Sequence, residues 1–456
     1  MYLCNNAALR LATLCVLYVS QGIPFGFVTV TLAAYLSQQG ATTEQVALLL
    51  TVSLLPWSFK WIWGPVIDRF TIPSLGRRRP WILLAQTLMV ITIVAVVLIP
   101  DLTRHWRWLC GMVLLHNVFS SLQDVSVDAM AVDLVPEKER GRANGLMYGS
   151  AYFGSLIGGA LLGWLLARAG LATALTVQGA ILLLIMMFPL LLRERPGDRL
   201  FPWTAAAPTK TPPVASNDSL LKLFRRLLAA FSLRAALAAA ALALLVKLGA
   251  GLVMTVVVVF TVNELGWKQE EFSAVMGGGG VVTGLTGAML GGFLIDLVGL
   301  KRLITFCSLA LAAVWIGFAC AQDYWHQRTV VYGMIYAQEF LLSALSVSLF
   351  ALFMGVSSPI VAGTQFTAYM ALLNLSNSCG VWLAGQLHPG LSVAAVYTLA
   401  GGLQIAALLL VLFIKPRDAA DEKKFDSTIE AVPDESSPEG LTEPREETPP
   451  NSSDKP

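Results

Sequence analysis

Twelve stretches of about 20 or more mostly apolar residues follow one another with short polar breaks, and this succession constrains the fold more than any motif does. A hydrocarbon layer is about 30 Å thick and a helix rises about 1.5 Å per residue, so each stretch can cross it. The spans fall near 8–36, 43–67, 81–99, 106–134, 142–167, 171–193, 235–263, 272–297, 302–321, 329–355, 360–386 and 391–414. In lipid every backbone N–H and C=O needs an internal partner, which leaves helices for spans of this length. The expected fold is an all-α integral membrane protein with twelve transmembrane helices. The first span is too long for a signal-peptide core and lacks a basic leader and cleavage site, so it is expected to be retained.

Charge tests the count, because Lys and Arg collect in cytoplasmic loops. With both termini inside, 24 of the 31 Lys and Arg fall in cytoplasmic segments, and only Arg104, Arg107, Arg168, Lys268 and Arg328 fall on the other side. Charged residues make up 13% of the chain and form no basic face, which excludes nucleic acid as a partner. The six cysteines lack CxxC or CxxH spacing, so no disulfide framework, metal site or cofactor is expected. His105, His116, His326 and His388 are scattered, and no nucleophile–base pair accompanies them, which argues against an intramembrane enzyme.

Four segments follow: a six-helix half over 1–193, a cytoplasmic linker over 194–234, a second six-helix half over 235–414, and a tail over 415–456. The linker ends in "SLLKLFRRLLAAFS", whose Leu220, Leu223, Phe224, Leu227 and Leu228 share a helical face, as in an interfacial helix. The tail carries 12 acids against 6 bases among many Pro, Ser and Thr, a composition expected to stay disordered. An internal repeat supports the two halves. "GPVIDRFTIPSLGRRRPW" after span two and "GFLIDLVGLKR" after span eight share a G-x-x-x-D spacing, Gly64 to Asp68 and Gly292 to Asp296, each followed by Gly and basic residues. Parallel repeats of this kind are a transporter feature.

These loops resemble the signature loop of the major facilitator superfamily. The longer first copy is similar to that of AmpG-type muropeptide permeases and the acetyl-CoA transporter-like proteins, as are "SQGIPFGF", "LQDVSVDAMAVDLVPEKERGRANG" and "AGTQFTAYMALLNLSN". The resemblance implies two pseudo-symmetric six-helix bundles in a bacterial inner membrane. It further implies a monomeric carrier that imports an anionic sugar-peptide of cell-wall turnover with protons by alternating access. Another organic anion or glycoconjugate, acyl-CoA-like, is the alternative cargo, and a non-transporting sensor with a signalling tail is the alternative function. By the same resemblance Gly64, Asp68, Arg69, Gly76, Arg77, Arg78, Asp296, Lys301 and Arg302 form a gating loop pair.

Charges inside the spans are the candidate site residues, because a carboxylate facing lipid costs several kcal/mol. Asp124 and Asp128 lie about 40° apart around a helix, whereas Asp133 is about 140° from Asp128. Asp133, at the exit of span four, is expected to meet the arginine loop. Asp124 is expected either to titrate or to be satisfied by amides such as Gln123, and Asp128 stands between these roles. Glu339, beside Gln338 in span ten, is the equivalent acid of the second half. Lys247 lies about 18 Å into span seven and needs an anion, from the protein or from a cargo. Resemblance places it with Asp124, Glu339 and Gln21 around one cavity, to which His116, Asn117, Gln338, Gln365 and Asn374 are expected to add polar groups. Lys60, nine residues before Arg69, is expected to snorkel to the inner headgroups.

Overall fold

The computed structural model describes residues 2–70, 72, 74–99, 104–136, 139–200, 231, 234–357, 362–388 and 390–414. The candidate interfacial helix at 219–232, apart from Phe231, and the acidic tail lie outside the described residues.

Helix α1, Ala7–Gln38, starts where the Asn6 side chain accepts from the Leu9 N–H at 3.0 Å. Helix α2, Thr43–Arg69, starts on a reciprocal Thr42/Gln45 capping box. Then come α3, Arg79–Val97, with a proline in its first turn, and α4, Trp106–Leu134. Helices α5 (140–169) and α6 (171–191) reverse direction at Gly170 alone, whose φ of +81° suits a residue without Cβ. The second half repeats the pattern with α7, Arg234–Glu264, α8 over 269–298, α9, Leu300–Cys320, α10, Arg328–Val356, α11, Ala362–Leu387, and α12, Val393–Val411. The chain is thus a multi-pass membrane protein, all-α with twelve such helices among the described residues. The helical backbone satisfies its own polar groups at membrane depth, as lipid demands.

Small residues let backbones touch. A Cβ on Gly158 of α5 would stand 2.0 Å from the Ile23 carbonyl of α1, and one on Gly277 of α8 would stand 2.5 Å from backbone of Gly159 in α5. Helices α1, α5, α7 and α8 each contain a π-helical segment. Such a bulge displaces regular bonds, and the Thr31 hydroxyl reaches the Gly158 and Gly159 carbonyls at 2.9 and 2.8 Å.

The two halves meet mainly at the end remote from the arginine loop. There Ser37 donates to Asn263 Oδ1, the Gln269 N–H to Gln38, and the Gln269 amide to the Gly163 carbonyl, while Thr43 faces His388 and Arg168 pairs with Glu270. Near mid-depth Asn374 of α11 donates to the Trp57 carbonyl of α2, and Tyr152 of α5 meets Ser343 of α10 at 3.4 Å.

Candidate translocation site

Helix α2 loses its regularity after Pro56, which has no N–H to give. Phe59 leaves helical geometry and Lys60–Ile62 forms a 3-10 turn. That turn aims Lys60 across to α4, where its Nζ donates to Asp124 Oδ2 at 2.8 Å. The expected snorkelling of Lys60 is thereby corrected. The broken turn directs the side chain into the bundle, and a buried carboxylate is a stronger partner than a distant headgroup.

Asp128, one turn on, accepts a short hydrogen bond from the Tyr18 hydroxyl of α1. Tyr148 of α5 packs edge-on against Tyr18 with ring centroids 5.9 Å apart, and it lies within electrostatic reach of Lys60, Asp124 and Asp128. The cluster therefore holds two carboxylates and one ammonium. Gln123, offered above as a partner for Asp124, instead donates to the Leu17 carbonyl at 3.0 Å and to Ser20 at 2.8 Å.

A second set occupies the other half. Lys247 stands at the junction of the two helical segments of α7, and its Nζ donates to Ser346 of α10 at 2.8 Å. Glu339, also on α10, is the charge that acts on Lys247, and it accepts from the Gln338 amide at 3.4 Å. Gln338 in turn accepts from the Trp315 indole of α9 at 3.0 Å. Both intramembrane lysines thus occupy helix irregularities, which a membrane protein tolerates where backbone is buried in protein or lines a water-filled cavity.

The remaining candidates divide. Gln21 is buried in α1 with an amide nitrogen that has no partner among the described residues. Asn117 accepts from the Trp57 indole at 3.4 Å and donates to the Val113 carbonyl. His116 is held on Nδ1 by Thr92 at 2.8 Å and the Met89 carbonyl at 3.2 Å, and it lines a small cavity of about 30 Å3 inside the N-terminal half. Gln365 is fully buried against Tyr369, which stacks on Phe353, so it belongs to packing near the start of α11 rather than beside Lys247.

At the loop between α2 and α3, Asp68 pairs with Arg77 at 3.0 Å and Arg78 at 2.6 Å, and Arg78 Nε reaches Asp133 at 2.9 Å. These partners all belong to the N-terminal half. Arg69 and Arg302 are exposed, Lys301 is half-buried, and Asp296 lies in the last turn of α8. Sequence reasoning missed Glu194, whose carboxylate accepts the N–H groups of Arg77, Arg78 and Arg79 at the start of α3. Burial pushes its carboxyl above the usual range, against those three donors. The Arg79 guanidinium is packed among carbonyls, those of Leu190, Arg199 and Leu200 at 2.6 to 2.9 Å. No helix period flags these contacts, because they join α3 to the end of α6 and the chain just beyond it.

Gly76 has φ +105°, and a Cβ there would stand 2.9 Å from Glu194 Oε1. Gly76→Ala is expected to cost about 1–3 kcal/mol through strain and the displaced carboxylate, read as a lowered melting temperature of the detergent-solubilised protein.

The family model of the Major Facilitator Superfamily matches residues 14–262 and 239–444. The chain belongs to the major facilitator superfamily. It is a transporter of that superfamily and not an enzyme. Curated relatives include the "Anhydromuropeptide permease" of Escherichia coli K12, 26% identical over 80% of this chain and 71% of the relative. The "Putative transporter AmpG 4" of Rickettsia conorii is 23% identical over 90% of this chain and 97% of its own. Among solved structures, the inward-open xylose transporter XylE from E. coli superposes with a TM-score of 0.67 at 14% identity, covering 92% of this chain and 99% of its own. The nucleoside transporter NupG (D323A mutant) gives 0.65 at 13% identity, over 89% and 100%. These two likenesses speak for the fold alone.

Proposed function

We propose that this transporter imports anhydromuropeptide-type sugar-peptides from the periplasm into the cytoplasm, coupled to protons, as a monomer in a bacterial inner membrane with both termini cytoplasmic. The observation that carries the reading is the pair of intramembrane lysine–acid sets, one in each half, at broken helices. Burying such charges costs several kcal/mol, so those that are kept mark a candidate functional site. A proton is the natural second positive charge for a cluster with two carboxylates and one ammonium, and the ammonium groups suit a cargo that carries carboxylates. The relatives named as anhydromuropeptide permeases support that cargo class.

The halves 1–193 and 235–414 rock about the site, with the 194–234 linker joining them on the inside. Their contacts at the outer end, and an inner loop whose described partners all belong to the N-terminal half, fit a carrier open to the cytoplasm. In this reading Asp68, Arg77, Arg78 and Asp133, with Asp296, Lys301 and Arg302, latch the inner end when the carrier opens outward.

The test is uptake of labelled anhydromuropeptide into right-side-out and inverted vesicles, with and without a proton gradient. Uptake into right-side-out vesicles that collapses with an uncoupler is expected. Uptake indifferent to the uncoupler removes the proton, and selective uptake of an acyl-CoA instead replaces the cargo.

A further inference from the structure

The Lys60 side chain is less enclosed than that of its partner. It is 19% exposed where that of Asp124 is 6% exposed, so the lysine is the more accessible member of the pair. Tyr148, within electrostatic reach of Lys60, is 53% exposed although it packs on Tyr18. Trp57, whose ring centroid lies 5.9 Å from Lys60 Nζ, forms an aromatic wall and contacts α11 of the other half through its carbonyl. An ammonium beside an aromatic ring at the junction of the halves has the build of a ligand site rather than of a structural pair. It stands on α2, while Lys247 stands on α7, so each half brings one cation.

From these contacts we infer that Lys60 is an anchor for a carboxylate of the cargo, and that cargo and Asp124 compete for it. The inference rests on the proposed cargo class and deepens it. One ammonium at 2.8 Å from Asp124 cannot hold a second carboxylate equally well, so a cargo carboxylate that takes Lys60 strips Asp124 of its counter-charge. Asp124 is then buried one turn from Asp128, and Tyr18 supplies a hydroxyl to Asp128 only. The stripped pair of acids takes one proton from the water on the side where the cargo entered. When the cargo leaves, Lys60 returns to Asp124, and that proton goes to the water on the other side. One proton thus moves inward for each cargo carboxylate held by Lys60. A neutral cargo leaves the Lys60–Asp124 pair in place and calls for no proton.

The test is equilibrium binding to the full chain in detergent, using an anhydromuropeptide and its derivative with peptide carboxylates converted to amides, with proton uptake followed by an indicator dye. Wild type is expected to bind the acid about 10–100-fold more tightly than the amide, the range of one charge-assisted hydrogen bond, and to take up a proton only with the acid. Lys60→Gln should erase that preference, and Asp124→Asn should tighten the acid and remove proton uptake. Because Lys60→Gln leaves a buried acid unpaired, the double variant Lys60→Gln/Asp124→Asn, which removes both charges, guards against misfolding and should also bind acid and amide alike. A preference for the acid that survives in the double variant, or proton uptake that survives in Asp124→Asn, overturns the competition. If wild type binds neither form, the cargo reading fails and takes this inference with it; if it binds the acid tightly and the variants do not change it, only this inference fails.

Discussion

Asp124→Asn is expected to cut uphill uptake sharply while downhill exchange of cargo persists. The substitution keeps the shape of the side chain and its capacity to accept from Lys60, which sits 2.8 Å away, but removes the group that gains and loses a proton. Coupling between two ligands is worth about 1–3 kcal/mol in typical carriers of information between sites, so gradient-driven accumulation should fall by roughly 5–150-fold. Counterflow, in which labelled cargo enters against unlabelled cargo inside, needs no net proton movement and should fall far less. Glu339→Gln provides the comparison from the other half: Lys247 there is held by Ser346 at 2.8 Å and keeps that partner. Accumulation that stays intact in both variants would refute the assignment of the proton to these acids.

Gly277→Leu is expected to open the end of the transporter remote from the arginine loop. The Cβ would fall 2.5 to 2.9 Å from backbone atoms of Gly159 and Ala160, and backbone cannot swing aside as a flexible side chain can. Overpacking of this kind costs about 1–3 kcal/mol. The cost applies only to the arrangement in which α5 and α8 touch, so the equilibrium between orientations should shift by about 5–150-fold toward the one in which they part. Reaction of a cysteine introduced at Ser37 or Asn263, which face each other at 3.1 Å across that end, with an impermeant thiol reagent should rise accordingly. Unchanged labelling would mean that the outer contacts are not what the substitution disturbs. Gly111→Leu is the control, because a Cβ there meets nothing within 4 Å.

Much of the site was legible because helical period and charge act locally. The angle between Asp124, Asp128 and Asp133 follows from residue spacing on one helix, and their partners divide the same way: Lys60 and Tyr18 for the first two, Arg77 and Arg78 for the third. The depth of Lys247 follows from its distance along α7. Lys60 was not legible in this way. Its long stem can reach headgroups or the bundle interior with the same spacing, and the choice was made by a 3-10 turn after Pro56 that rotates it toward α4. Glu194 was not legible either, since its three donors come from a loop more than a hundred residues earlier in the chain.

By itself the sequence determined the span count, the all-helical class, the repeat between the halves and which residues had to find polar partners, because hydrocarbon thickness and the cost of unpaired charge leave little choice. Only the tertiary structure decided who those partners are. It gave Asp124 to Lys60, Lys247 to Ser346 and Gln365 to the packing around Tyr369. Neighbouring helices from distant parts of the chain, broken at Pro56 and Lys247, set which of several chemically equivalent groups comes within hydrogen-bond reach.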